Sequence, residues 1–291
     1  MPFVCGVQVE HMLMVLKGLE GLSNTVVITV KEDEGMYGHA QDDSLVALCN
    51  WKLQYDSFPL FEFFKTHKQM ISWKLDVRNL QKMLAGAERT GVVEIFSNDN
   101  PTFLGITYVN SKVARNEEFH AKLPLMKITD EDKSRIDCVP EEYYDNRATI
   151  SSRTFCHIIQ GMQGIGANIR FQLDAEHFRC TVENAETGFS LATSVGHRTD
   201  ETNIARNSWV DLNGVKKSFD QRFPLKFLQI FTNCANQAVI AELYFAPNQP
   251  IIIRYLIGDS KKNGYVSFMT TPLLQADGQR DEDVAPGDED I

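Results

Sequence analysis

Little in this 291-residue chain has the types and spacing that bond-making chemistry needs. Its six cysteines, at 5, 49, 138, 156, 180 and 234, form no CxxC pair and have no histidine at metal-ligand spacing. They read as buried or half-buried thiols in a reducing compartment. No Gly-rich phosphate loop, metal cluster or nucleophile elbow stands in the sequence, so no cofactor or metal is expected. His157 shares a helix face with Arg153 and Gln160, and a catalytic role would need a nucleophile or carboxylate partner that the spacing does not supply. What recurs instead is positive charge on the solvent side of helices: Lys17, Arg78, Lys82, Arg153, His157, Arg222 and Lys226. Side chains of this kind can meet an anion without reacting with it.

Four short helices must present these residues. In the first, Met12, Val15, Leu16, Leu19 and Leu22 make the apolar stripe and leave His11, Met14, Lys17, Gly18 and Gly21 outside. In the second, Val77, Leu80 and Leu84 turn inward, with Arg78, Gln81 and Lys82 outward. The third buries Phe155, Ile158, Ile159 and Met162. The fourth buries Phe227, Leu228 and Phe231, and presents Arg222, Lys226, Gln229 and Asn233. The outward faces carry almost no acid apart from Glu20 and Asp76. Ordinary surface helices can have cationic solvent sides, but four of them in a chain of net charge −10 point to a common role.

Nearly everything else reads as strand. TVVITV, SLVALCNWKL, GVVEIFS, TFLGITYV, NIRFQL, FRCTVE, GFSLATSV, AVIAELYF, PIIIRYLIG and YVSFMTT are rich in β-branched and aromatic residues, and turn material separates them. The order repeats. Helices one and three each lead into a strand pair, around KEDEG and DAEH; helices two and four each lead into a longer pair. The expected fold is therefore α+β, with antiparallel sheets and two similar halves. The division is 1–121, a connector at 122–144 without clear periodicity, 145–274, and an acidic tail at 275–291.

The net charge of −10 argues against simple electrostatic adhesion to nucleic acid, even after discounting the tail. No apolar run reaches eighteen residues, and the N-terminus lacks the flank and cleavage site of a signal peptide. A soluble intracellular protein with no membrane partner is expected.

From about Val9 to Leu274 the chain resembles the sliding clamps of the proliferating cell nuclear antigen family. The resemblance rests on an ordered set of segments: AQDDSLVAL, LQKMLAGA, a connector ending VPEEYY, SSRTFCHIIQGMQGIGANIRF, and the closing run from FPLKFLQIF to FMTTPLL. It implies two similar clamp domains per subunit, sheets outside and helices inside, with three subunits closing a ring. The seven cations above would then line the hole and touch double-stranded DNA without reading sequence. A closed ring holds DNA topologically, which reconciles the acidic chain with a DNA partner. The inner wall is less basic than is usual in the family, with Leu13, Met14, Glu20 and Asn233 at positions where lysine is common. Asp174 stands near a position where many relatives carry a modifiable lysine.

The resemblance also implies a role and partners: a DNA polymerase processivity factor in the nucleus, or in a viral replication compartment, that recruits DNA polymerase, clamp loader and other replication and repair proteins. Carried over by position, the partner-peptide pocket would use Val46, Leu48, Ile128, Pro250, Met269, Pro272 and Leu274. Subunit contacts in a homotrimer would come from edge strands, around Phe119 on one side and Phe189 and Leu191 on the other. Three other readings compete: a subunit of a heterotrimeric checkpoint-type clamp, a monomeric viral processivity factor with one strongly basic face, and an α+β enzyme.

Overall fold

The computed structural model describes residues 3–63, 70–98, 101–110, 117–133, 141–197, 209–258 and 262–273. Four helices in it are built the same way. Each starts at the residue after a strand ends: β1 (Phe3–Gln8) runs into α1 (Val9–Leu19), and β6 (Met70–Asp76) into α2 (Val77–Leu84). A four-residue helix in the connector, α3 (Asp130–Lys133), interrupts the series. In the second half β10 (Asn146–Ser151) runs into α4 (Ser152–Gly161), and β15 (Phe219–Pro224) into α5 (Leu225–Phe231).

The first amide of a helix has no intrahelical acceptor. Here each donates to the carbonyl just before the strand that pairs with its own feeder. Val9 N donates to Gly91 O (2.9 Å), Val77 N to Asn24 O (2.9 Å), Ser152 N to Val239 O (3.1 Å) and Leu225 N to Ala167 O (2.9 Å). The accepting residues precede β7 (Val92–Ser97), β2 (Thr25–Lys31), β16 (Ile240–Phe245) and β11 (Asn168–Leu173). Asp76 and Ser151 add side-chain caps, accepting from Asn79 N at 2.8 Å and Thr154 N at 3.4 Å. One junction is thus used four times, and this is the physical content of the repeat in the sequence.

The remaining strands are β3 (Gly35–Gln41), β4 (Ala47–Leu53), β5 (Leu60–Phe63), β8 (Phe103–Asn110), β9 (Glu117–Pro124), β12 (His177–Glu183), β13 (Ser190–Gly196), β14 (Val210–Gly214), β17 (Ile251–Leu256) and β18 (Gly264–Thr270). All named pairings are antiparallel, in three sheets ordered β5-β1-β7-β8-β9, β14-β10-β16-β17-β18-β4-β3-β2-β6 and β13-β12-β11-β15. The nine-stranded sheet joins the two halves of the sequence, because β18 pairs with β4 from Gly264↔Leu53 to Thr270↔Ala47. One continuous core, with Trp51, Trp73, Phe155, Phe171, Phe231 and Phe268 among its fully buried side chains, lies between helices and sheets. The α+β fold expected from the sequence is the one observed.

Several local expectations need correction. Met14 and Gly18 lie on the buried side of α1, because the helix is pressed between the sheet and the turn after α5. A Cβ at Gly18 would stand 2.9 Å from Val266 Cγ1 and 3.0 Å from Cys234 Sγ, so only glycine allows that approach. Gln81 is half-buried and donates to Leu16 O (3.2 Å), tying α2 to α1 rather than facing outward. β9 continues to Pro124, past the boundary expected at 121. Cys5, Cys49, Cys156, Cys180 and Cys234 are buried free thiols as expected, while Cys138 lies outside the described residues.

Candidate nucleic-acid interface and partner groove

All seven cations singled out in the sequence are exposed. Arg78 and Lys82 are one turn apart on α2, Arg153 and His157 one turn apart on α4, so each pair shares a face. Lys226 opens α5, its Nζ 4.4 Å from the ring of Phe227. Arg222 lies on β15, just before that helix, 3.7 Å from the carboxylate of Glu183. Lys17, in the last turn of α1, is paired with Glu20 at 2.6 Å. An open groove of about 600 Å³ runs among the ends of α1 and α4 and the start of the turn after α5, lined by Lys17, Gln160, Lys226, Gln229 and Asn233. It brings cations from the two halves of the sequence together with neutral amide donors. Glu20, paired with Lys17, also lines it, and such a surface can hydrogen-bond phosphate oxygens.

The other face of the nine-stranded sheet carries a second feature. Register places Leu48, Met269, Ile252 and Tyr244 side by side on β4, β18, β17 and β16. With Ala246 and Tyr144 they form a buried apolar cluster separate from the main core. Tyr144, at the end of the connector, donates its hydroxyl hydrogen bond to Pro250 O (2.8 Å) and meets Tyr244 edge-on at 6.2 Å. Tyr244 donates in turn to Glu242 (2.8 Å), a carboxylate that is only 1% exposed and also receives Arg147. Arg254 stacks on the rings of Tyr244 and Tyr265. Beside the cluster, Tyr143, Asp145, Ala246, Pro247 and Gln249 line a further cavity of about 310 Å³.

Of the residues expected in a peptide pocket, Leu48 and Met269 are in this cluster, and Pro250 touches it through Tyr144. Val46 packs against the main core and accepts from Thr271 N (3.3 Å), next to half-buried Pro272. Leu274 lies outside the described residues. Ile128 comes two residues after Met126, which bridges to Lys74 on β6, at the far edge of the sheet. Three strand spacings, roughly 14 Å, separate that edge from Leu48's strand. Sequence reasoning missed Tyr144, Tyr244, Ala246 and Ile252. Alternation along PIIIRYLIG and AVIAELYF was the signal available, since every second residue of a strand shares a face.

Two sheet edges carry the residues expected at subunit contacts. β9 ends the five-stranded sheet, with Phe119 39% exposed and stacked on Tyr108 at 5.1 Å. β13 ends the four-stranded sheet, with Leu191 half-buried on it and Phe189, 57% exposed, just before its start.

Four strand-fed helices backed by antiparallel sheets, with exposed cations on the helices, define an α+β fold of the DNA clamp class. Comparison with known proteins agrees. Residues 8–132 match the family described as proliferating cell nuclear antigen, N-terminal domain. The chain is 24% identical over 254 residues to proliferating cell nuclear antigen 1 of Plasmodium falciparum, covering 84% of this chain and 87% of the relative. It is 22% identical over 242 residues to proliferating cell nuclear antigen 2 of Drosophila melanogaster, covering 83% and 86%. The likeness to proliferating cell nuclear antigens thus spans most of the chain, with the family model itself matching only residues 8–132.

Proposed function

We propose that this chain is a DNA polymerase processivity factor, three copies of which close head to tail around duplex DNA. It performs no catalysis of its own. The observation that carries this reading is the fourfold use of one strand-to-helix junction, which sets four helices alike and leaves Arg78, Lys82, Arg153, His157 and Lys226 exposed on them. In a ring those helices form the inner wall, and their contacts with phosphate are non-specific and transient. The two clamp domains are the stretch up to the end of β9 at Pro124 and residues 145–274, and 125–144 connects them.

Closure of the ring uses two different edges of each subunit, β9 with Phe119 and β13 with Phe189 and Leu191. Heterologous pairing of this kind closes when the rotation fits, and it covers strand edges that would otherwise invite aggregation. The cluster around Leu48 and Met269 supports a groove for partner peptides with aromatic anchors, including those of the polymerase and the clamp loader. Tyr144 joins it from the end of the connector, with Ile128 the connector's other candidate. The setting is the nucleus, or a viral replication compartment.

Light scattering on the pure protein tests the ring. A mass three times the 33.0 kDa chain at micromolar concentration is expected. A monomer would remove the homotrimer and favour a subunit that needs two different relatives.

A further inference from the structure

Leu273 donates its backbone N–H to Arg222 O (2.9 Å), so the chain leaves the described fold beside β15. β15 runs directly into α5, and Lys226 follows Arg222 by four residues, which keeps their Cα atoms within about 15 Å of each other. Lys226 lines the groove of about 600 Å³ among the helix ends, with the amides of Gln160, Gln229 and Asn233 beside it. It is exposed and, among the described residues, has no ion pair. Arg222 meets the Glu183 carboxylate only at 3.7 Å, and both side chains are more than half exposed. At the other end of the groove Glu20 already takes up Lys17. The unclaimed positive charge therefore lies at the Arg222–Lys226 end, where the chain departs.

Residues 274–291 lie outside the described residues and carry seven carboxylates against one arginine. Six of the seven fall in two blocks, at 281–283 and 288–290. Eight residues separate Leu273 from Asp281, a reach of about 26–29 Å when extended, so the first block can span the distance to Lys226. A block of like charge this dense gains nothing from an apolar core, and the body of the chain is acidic in its own right. Cations flanked by neutral amide donors are where its charge is offset.

We propose that the acidic tail is an intrachain substitute for DNA: its carboxylates occupy the Arg222–Lys226 end of the groove and compete there with phosphate. This rests on the DNA reading of the helix faces given above. Attachment gives the tail an effective concentration on the order of 1 mM. A tail that binds with a Kd of about 100 μM when detached would fill its site about ten to one, and would weaken DNA binding about tenfold.

The test uses the full chain with the six block carboxylates turned to amides: Asp281→Asn, Glu282→Gln, Asp283→Asn, Asp288→Asn, Glu289→Gln and Asp290→Asn. In low salt, fluorescence anisotropy should show this chain binding a short linear duplex about tenfold more tightly than wild type. It should also bind a labelled synthetic peptide of residues 274–291, and the duplex should displace that peptide. Plain repulsion between tail and DNA would also produce the first effect, so a mutant cycle separates the two. With Arg222→Glu and Lys226→Glu in place, the gain from neutralising the tail should fall to about twofold or less, and the peptide should no longer bind. A gain of equal size in both backgrounds, or peptide binding that survives the double reversal, overturns the docking while leaving the DNA face in place. A neutralised chain that binds no duplex removes the DNA reading, and this inference with it.

Discussion

Reversing Arg78 and Lys82 together, to glutamate, should measurably flatten the salt dependence of DNA binding. Four cations on the helices, Arg78, Lys82, Arg153 and Lys226, are exposed and have no ion pair among the described residues. Lys17 and Arg222 each face a carboxylate, at 2.6 and 3.7 Å, and are left out of the count. If each of the four meets one phosphate, log K should fall against log salt with a slope of about −3.6 for one subunit on the duplex. A rise from about 50 to about 200 mM salt would then weaken binding roughly 150-fold. Removing two contacts should leave a slope of about −1.8 and a loss of roughly 12-fold over the same range. Fluorescence anisotropy on a short linear duplex, repeated across the salt series, reads both slopes. The ring itself predicts a contrast: once loaded on closed circular DNA, the protein should stay bound in salt that strips it from linear DNA. A slope unchanged by the double reversal would put α2 off the phosphate path. Equal salt release from linear and circular templates would refute topological holding.

Glutamate at both Phe119 and Leu191 should convert the trimer to monomers at micromolar concentration, with an unchanged circular dichroism spectrum, because each substitution puts charge on a strand edge meant to be covered. Gly18→Val should lower stability by about 1–3 kcal/mol in thermal unfolding, since its side chain has no room between Val266 and Cys234. Asp132 offers a pH test. Burial would raise its pKa, but the Lys74 ammonium at 2.8 Å and the amide and hydroxyl of Thr129 hold it at about 2. A depressed carboxylate stabilises the fold above its unfolded value of 3.8 and loses that contribution as pH falls towards 2. The pair should therefore contribute roughly 1–2 kcal/mol near neutrality after solvent screening. NMR titration of Lys74→Met should show the Asp132 pKa moving back towards its ordinary value.

The helix stripes were legible because period and chemistry agree: Val77, Leu80 and Leu84 are buried, as are Phe155, Ile158, Ile159 and Met162. Met14 and Gly18 defeated the same reasoning because α1 has neighbours on more than one side, and an amphipathic pattern reports only the broadest contact. β1, β5, β6, β10, β14 and β15 were missed; β1, β6, β10 and β15 each run straight into a helix, so alternation gives way to the helical period before it stands out. The expected cations were all exposed, since long charged side chains seldom bury. The apolar cluster was half legible. Leu48 and Met269 could be carried over by position, but Tyr144 and Tyr244 meet only through register between distant strands, and a buried Glu242 has no signature in a linear pattern. The connector has no periodicity to fix which of its apolar residues returns to the sheet.

The pairing of β4 with β18 bears on how the chain is made. Residues 47–53 leave the ribosome early, but their partners at 264–270 follow roughly two hundred residues later. At about 5–20 residues per second, one side of β4 waits some 10–40 seconds for its neighbour. During that time ALCNWKL offers an apolar strand with an open side. The nascent first half is therefore an incomplete folding unit, and synthesis that stops before β18 yields an aggregating fragment rather than a smaller clamp. The seam that joins two similar halves in one sheet also makes the chain's birth depend on the last strand.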